Sequence, residues 1–244
     1  MIDILYQIEH LNFGLRGCNI MYTKQEVIGY IWQYSRYYGN LLISCEKIIK
    51  VENFSGHASL IYLFNILENI AKSQIKKFDN INFVDIIKKL KEKNYISEIE
   101  YDFLNNEEYG IRRIRNLLAH SNLSKYNIIF LFEDTKLLFP LTEDTTCTKF
   151  YEYFSDILFN LMLKIITNNF IIPISINLDE DIKKLKIKVQ EITPEELLSY
   201  KGMDYKQLKG WSEMLEDDKY KMAENASDVN AYINIFKMMN LGNK

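Results

Sequence analysis

From Thr23 onward the apolar residues recur at intervals of three and four, the period of helices with one face turned inward. Thr23 and Glu26 have the spacing of a capping box, and the stretch "EVIGYIWQYSRYYGNLLISCEKIIK" then predicts one long helix reaching about Lys50. A second helix is expected to start at Ser55 or Gly56, with Leu60, Leu63, Phe64, Leu67, Ile70 and Ala71 on its inner face. A third, "FVDIIKKLKEKN", follows Asn82. Ser97 and Glu100 repeat the capping-box spacing ahead of a short fourth helix ending near Leu104. Asn106 is placed to cap a fifth. Glu107 and Glu108 would lie in its first turn and the arginines nearer its end, as the helix macrodipole favours.

Beyond residue 122 the period changes. "NIIFLF" and "KLLFPL" flank "EDT" as a β-hairpin would, and "KFYEYFSDILFNLMLKIITNNF" returns to the length and spacing of a helix. From Phe170, "FIIPISIN" and the alternating "KLKIKVQEI" predict strands, and Thr193-Pro194-Glu195-Glu196 is a helix start with proline at its first position. The remainder reads as two or three amphipathic helices, the last capped by Ser227 or Asp228. We therefore expect a mainly α fold, a helical bundle over 1–177 with an N-terminal arm and a small β-hairpin, and an α(+β) extension over 178–244.

Composition narrows the function classes. Nine glycines and three prolines in 244 residues disfavour a turn-rich sandwich or barrel. A net charge of −3 gives no global attraction to phosphate backbones, so any nucleic-acid contact must be local. Cys18, Cys45 and Cys147 form no CxxC pair, which indicates neither a disulfide framework nor a zinc site, and no metal or cofactor is expected. No apolar run approaches the roughly 18 residues a membrane span needs, and "MIDILYQIEH" does not read as a leader. The expectation is a soluble, cytoplasmic protein without a membrane partner.

One stretch stands apart. The chain has 25 lysines but only five arginines, and three of the five, Arg112, Arg113 and Arg115, fall within "GIRRIRNLLAHSN". His120, one of three histidines with His10 and His57, follows them. At about 100° per residue, Ile111, Ile114 and Leu118 form an apolar stripe that includes Arg115, whereas Arg113, Asn116 and His120 lie elsewhere. An arginine on such a stripe is costly unless a carboxylate or an interface satisfies it. Arg112 has a simpler account, an ion pair with Glu108 one turn earlier.

"RNLLAH" is an arginine, a polar residue, three further positions and a histidine. It resembles the motif of the HEPN superfamily of helical ribonucleases, matching it at Arg115, Asn116 and His120. The resemblance implies an α-helical bundle, a homodimer with paired motifs at its interface, and a role such as a growth-arresting toxin or phage-defence effector, with an antitoxin or regulatory protein as a possible partner. It further implies an acidic residue on an earlier long helix facing the motif, for which Glu68 in "NILENIAK" is the match.

The residue types suit the chemistry. Cleaving RNA by its own 2′-hydroxyl requires a base, an acid and a cation to hold the phosphoryl oxygens. Histidine can fill either proton role near neutrality, and arginine offers a fork of donors matched to phosphate. On an unbroken helix Arg115 and His120 diverge by about 140°, so either the helix ends near Ala119 or two protomers share a cleft.

Tyr109, eleven positions before His120 and on its face, is a candidate to line that cleft. Arg112, Arg113, Lys72 and Lys76 are candidate RNA contacts, the lysines belonging to a local cationic region with those at 77, 88, 89, 91 and 93. The alternatives are a non-catalytic module that binds RNA or protein, and a helical adaptor.

Overall fold

The computed structural model describes residues 21–51, 55–76, 81–120, 123–132, 135–170, 174–185 and 187–227, with the side chains at 120, 129–140 and 168 outside the description. The chain is mainly helical and divides into two compact units: Met1–Ala119 with Asp144–Lys186, and His120–Glu143 with Ile187–Lys244. None of the described helices is long and apolar enough to cross a membrane.

The first unit opens with α1 (Lys24–Tyr34) and α2 (Arg36–Ile48), two helices where the pattern predicted one. The capping box of Thr23 and Glu26 is present. The break comes at Ser35, which adopts extended backbone (φ −152°, ψ 111°) and accepts a hydrogen bond from the Tyr38 N–H at 3.5 Å, so one residue ends α1 and caps α2. Apolar periodicity survives such a break because both helices keep an inward face; serine's capping preference was the only local sign of it.

α3 (Gly56–Ile75), α4 (Phe83–Glu92), α5 (Glu98–Asn105) and α6 (Ile111–His120) follow the predicted order. α5 carries the predicted capping box of Ser97 and Glu100. The start of α6 differs from expectation. Asn106 caps the end of α5, and its Oδ1 accepts from the N–H groups of Glu108 at 2.8 Å and Tyr109 at 3.3 Å. Glu107, Glu108 and Tyr109 therefore form a turn before the helix, and the acids are not in its first turn. A Cβ on Gly110 would lie 2.5 Å from the Asn106 carbonyl oxygen, which is why a glycine joins turn to helix.

α7 (Asp144–Ile166) packs along α3. From Ile157 to Leu163 every residue of α7 is buried, so this half of the helix runs through the core, whereas Lys149, Glu152 and Tyr153 in its first half are exposed. All six predicted inner residues of α3 are buried. Phe150 and Phe154 stack with ring centroids 4.0 Å apart, and Phe64 of α3 and Phe103 of α5 meet them at 6.5 and 6.2 Å. Each such ring contributes on the order of 2–3 kcal/mol by burial, so this aromatic row fixes the α3, α5 and α7 arrangement. Asn160, wholly buried on α7, accepts from the Tyr22 N–H and donates to the Tyr22 carbonyl, both at 2.8 Å, anchoring the chain ahead of α1. Glu100, also wholly buried, receives Lys164 on both oxygens at 2.7 and 2.8 Å. The unit closes with α8 (Asp179–Lys184), where the Asp179 carboxylate accepts from the Ser97 hydroxyl at 2.6 Å.

The second unit holds β1 (Tyr126–Phe132), β2 (Thr135–Pro140) and β3 (Ile187–Glu191), an antiparallel sheet in the order β2-β1-β3. The hairpin is as predicted, with Phe132 opposite Thr135, and β1 also pairs with β3, Tyr126 opposite Glu191. That second pairing joins the hairpin to β3 within the second unit. Of the strands predicted in "FIIPISIN", the described residues 170 and 174–177 form none. α9 (Pro194–Tyr200), with its capping box of Thr193 and Glu196, packs on α10 (Glu216–Glu224) around Leu197, Leu198, Trp211, Met222 and Ala223. The helix predicted to follow Ser227 or Asp228 lies outside the described residues.

Candidate functional site

α6 turns Ile111, Ile114 and Leu117 inward, all wholly or almost wholly buried. The buried stripe thus runs through Leu117, and Leu118, assigned to it from spacing, is only half-buried. Arg115 borders this stripe with its side chain 30% exposed, too inward to be freely solvated and too outward to be sealed.

A carboxylate satisfies it. Glu68, about two-thirds of the way along α3 and only 12% exposed, accepts from the Arg115 guanidinium at 2.9 Å through Oε2. Its other oxygen, Oε1, pairs with Lys72 Nζ at 2.8 Å, one turn further along the same helix. Asn116 Oδ1 accepts a second bond from the Arg115 guanidinium at 3.1 Å. The structure therefore brings together Arg115, Asn116, Glu68 and Lys72. Two cations share one carboxylate, a formal charge of +1 in a half-buried setting where charges interact more strongly than in bulk water.

The shared carboxylate sets the energetics. Removing one partner of a buried pair typically costs about 3–5 kcal/mol because it strands the other charge. Here Lys72 stays on Glu68 when Arg115 is changed, which lowers that cost. Arg115 is thus less indispensable to the fold than its position on α6 alone would suggest.

The neighbouring candidates have other engagements. Arg112 donates from Nε to Asn105 Oδ1 at 2.9 Å and from its terminal nitrogen to the Asn105 carbonyl at 3.3 Å, and lies 3.8 Å from Glu107. Its carboxylate partner is Glu107 rather than the expected Glu108, because residues 107 to 109 form a turn and the one-turn spacing does not apply. Arg113 is half-buried on α6. Tyr109 donates its hydroxyl to Asp102 Oδ2 in a short contact, and this bond to a carboxylate, aided by partial burial, pushes its pKa up to about 12. The tyrosine stays protonated and is tied back to α5.

His120 is the last residue of α6, so the backbone is helical from Arg115 through His120; its side chain lies outside the description. Lys76 is exposed and ends α3 in left-handed backbone (φ 54°). Of the other lysines of the expected cationic region, Lys91 pairs with Glu98, Lys93 donates to the Gln74 carbonyl at 3.5 Å, and Lys77 lies outside the described residues.

One arrangement was not foreseen. Asp144, at the start of α7, accepts from the Gly56 N–H at 3.0 Å and the His57 N–H at 2.9 Å, and lies 3.1 Å from His57 Nδ1. It thereby supplies the cap for α3 that Ser55 does not provide, and gives His57 a partner 87 positions away. Burial alone would raise the Asp144 carboxyl, but the hydrogen bonds from His57 and Gly56 outweigh it and hold the pKa below the usual range. No local spacing could have signalled this, since the two helix starts meet only when α3 and α7 pack. His10 and Cys18 fall outside the described residues, and Cys45 and Cys147 are buried.

Among the described residues, no group of three or more His, Cys, Asp or Glu side chains is placed to hold a metal ion. Comparison with known protein families, curated proteins and solved structures finds no match, so the geometry of the Arg115 cluster and the motif it carries are what bear on function.

Proposed function

We propose that this chain is a metal-independent endoribonuclease of the HEPN type, acting as a homodimer in the cytoplasm as a toxin or phage-defence effector. In this reading His120 of one protomer takes the 2′-hydroxyl proton of the RNA. The 2′-oxygen then attacks the adjacent phosphorus, and the 5′-oxygen leaves with a proton from the His120 of the other protomer. The products are a 2′,3′-cyclic phosphate and a 5′-hydroxyl. Arg115 stabilises the charge on the phosphoryl oxygens, and Glu68 and Asn116 orient its guanidinium.

The observation that carries this reading is the setting of Arg115: oriented from two sides, by Glu68 and Asn116, yet 30% exposed, so that its planar fork is preorganised while part of it still faces outward. In this reading the divergence of Arg115 and His120 along the helix is met by two protomers sharing a cleft. His120→Ala is expected to abolish RNA cleavage and any cellular toxicity while leaving the melting curve unchanged. An active, toxic variant contradicts the assignment.

A second reading, a non-catalytic module of the same type that binds RNA or protein, draws on the same contact. The Glu68 pair also gives Arg115 a structural motive, because it satisfies an arginine bordering the core. Such a module keeps a folded dimer and RNA or protein binding but cleaves nothing.

A further inference from the structure

The reading of Arg115 as the phosphate-holding residue leaves open what else meets that phosphate. The cationic region foreseen from the sequence is a row of lysines along α3 and α4, yet the described lysines differ in what they touch. Lys91 and Lys93 are engaged away from Arg115, and Lys88 is exposed on α4. Lys72 alone among them is joined to Arg115 through a shared partner: Glu68 holds Lys72 on one oxygen at 2.8 Å and Arg115 on the other at 2.9 Å.

A carboxylate gripping two cations on its two oxygens places them side by side and cancels only one of their charges. Neither cation is exhausted by the contact, since a guanidinium carries five N–H donors and an ammonium three. Among the described residues Arg115 spends its donors on Glu68 and Asn116, and Lys72 on Glu68. What remains is a pair of donor groups of different shape, one planar and one compact, with a net positive charge and partial exposure.

We propose that Arg115 and Lys72, held side by side on Glu68, form a two-cation pocket for a single phosphate of RNA, with Lys72 as a substrate-positioning residue. The inference rests on the ribonuclease reading for its ligand, and it replaces the broad lysine track with one wired lysine. Glu68 then does two things. It fixes the spacing of the two cations, and it keeps the empty pocket from being a bare pair of like charges.

The test uses the full chain and a 2′-O-methyl RNA oligonucleotide, which cannot undergo 2′-hydroxyl attack, titrated by fluorescence anisotropy at several salt concentrations. Lys72→Met is expected to weaken binding by about 5- to 10-fold and to flatten the log–log salt dependence by roughly 0.7, the increment for one phosphate contact on a single strand. Lys72→Arg should restore most of both, and Lys88→Met should change neither.

Wild-type affinity and salt slope in a folded Lys72→Met overturn the proposal, as does an equal loss in Lys88→Met, which points to a diffuse lysine surface. If Lys72→Met fails to fold, Glu68→Gln decides. A pocket predicts tighter oligonucleotide binding with slower cleavage; a structural ion pair predicts a lower Tm with unchanged affinity and contradicts the pocket. Cleavage of unmodified RNA is followed alongside: a wild-type chain that binds through Lys72 but does not cleave sinks the ribonuclease reading and leaves the pocket standing.

Discussion

Arg115 and Arg112 stand three positions apart on α6 and do different work. Arg112 spends its Nε and a terminal nitrogen on Asn105, tying α6 to the end of α5, whereas Arg115 shares Glu68 with Lys72. Lysine cannot reproduce a planar fork in either place, so the two substitutions should separate cleanly. Arg115→Lys is expected to cleave about 10²-fold more slowly with a near-normal Tm, the loss associated with degrading a main charge-stabilising contact. Arg112→Lys is expected to lose about 1 kcal/mol of stability, one hydrogen bond's worth, and to cleave normally. Rates and melting curves for both check this; a full-rate Arg115→Lys makes that arginine structural.

Asp144 carries a separate prediction. Its folded pKa is depressed, so its contribution to stability is present above the unfolded carboxyl value and is lost as pH falls through the lower folded value. Asp144→Asn should therefore be less stable than wild type at pH 7, with the gap closing below about pH 4. Chemical denaturation at a series of pH values measures it, and a pH-independent gap contradicts the role given to the carboxylate.

At the scale of elements, legibility followed the range of the interactions. The inner face of α3, the caps of α1, α5 and α9 and the hairpin were readable because each depends on residues close in sequence. The Arg115 site was half-readable: motif and spacing named Arg115 and Asn116, and the family resemblance named Glu68. The Glu68–Lys72 pair has the one-turn spacing of a helical ion pair, and only its joining to Arg115 needed α3 and α6 brought together. The division of the long first helix was missed because Ser35 breaks the backbone without breaking the apolar period. The third strand's pairing joins residues some 60 positions apart, and no local pattern encodes it.

The α1–α2 corner is another element junction open to test. A Cβ on Gly39 would fall 2.6 Å from Trp32 Cβ and 2.7 Å from Trp32 Cα, so the helices approach through the missing side chain. Gly39→Ala should destabilise the chain by about 1–3 kcal/mol, as overpacking does, despite alanine's better helix propensity. A raised Tm instead means the corner is looser than described.

For the whole molecule, the chain combines a mainly helical unit that carries Glu68, Lys72, Arg115 and Asn116 with a sheet-containing unit to which His120 is assigned at the end of α6. The formal charge of −3 argues against attraction of RNA by the molecule as a whole, so the proposed ribonuclease activity requires a local cluster such as that on Glu68 to hold the substrate. Activity should accordingly fall with salt at a slope set by few phosphates rather than many.

The most direct measurement incubates the purified full chain with RNA in excess EDTA and determines the chemistry of the new ends, in parallel with His120→Ala. Cleavage in the chelator that leaves 2′,3′-cyclic phosphate and 5′-hydroxyl ends, and is absent from the folded His120→Ala protein, is the expected result. Cleavage that survives the substitution, requires an added divalent ion, or leaves 5′-phosphate ends contradicts the account.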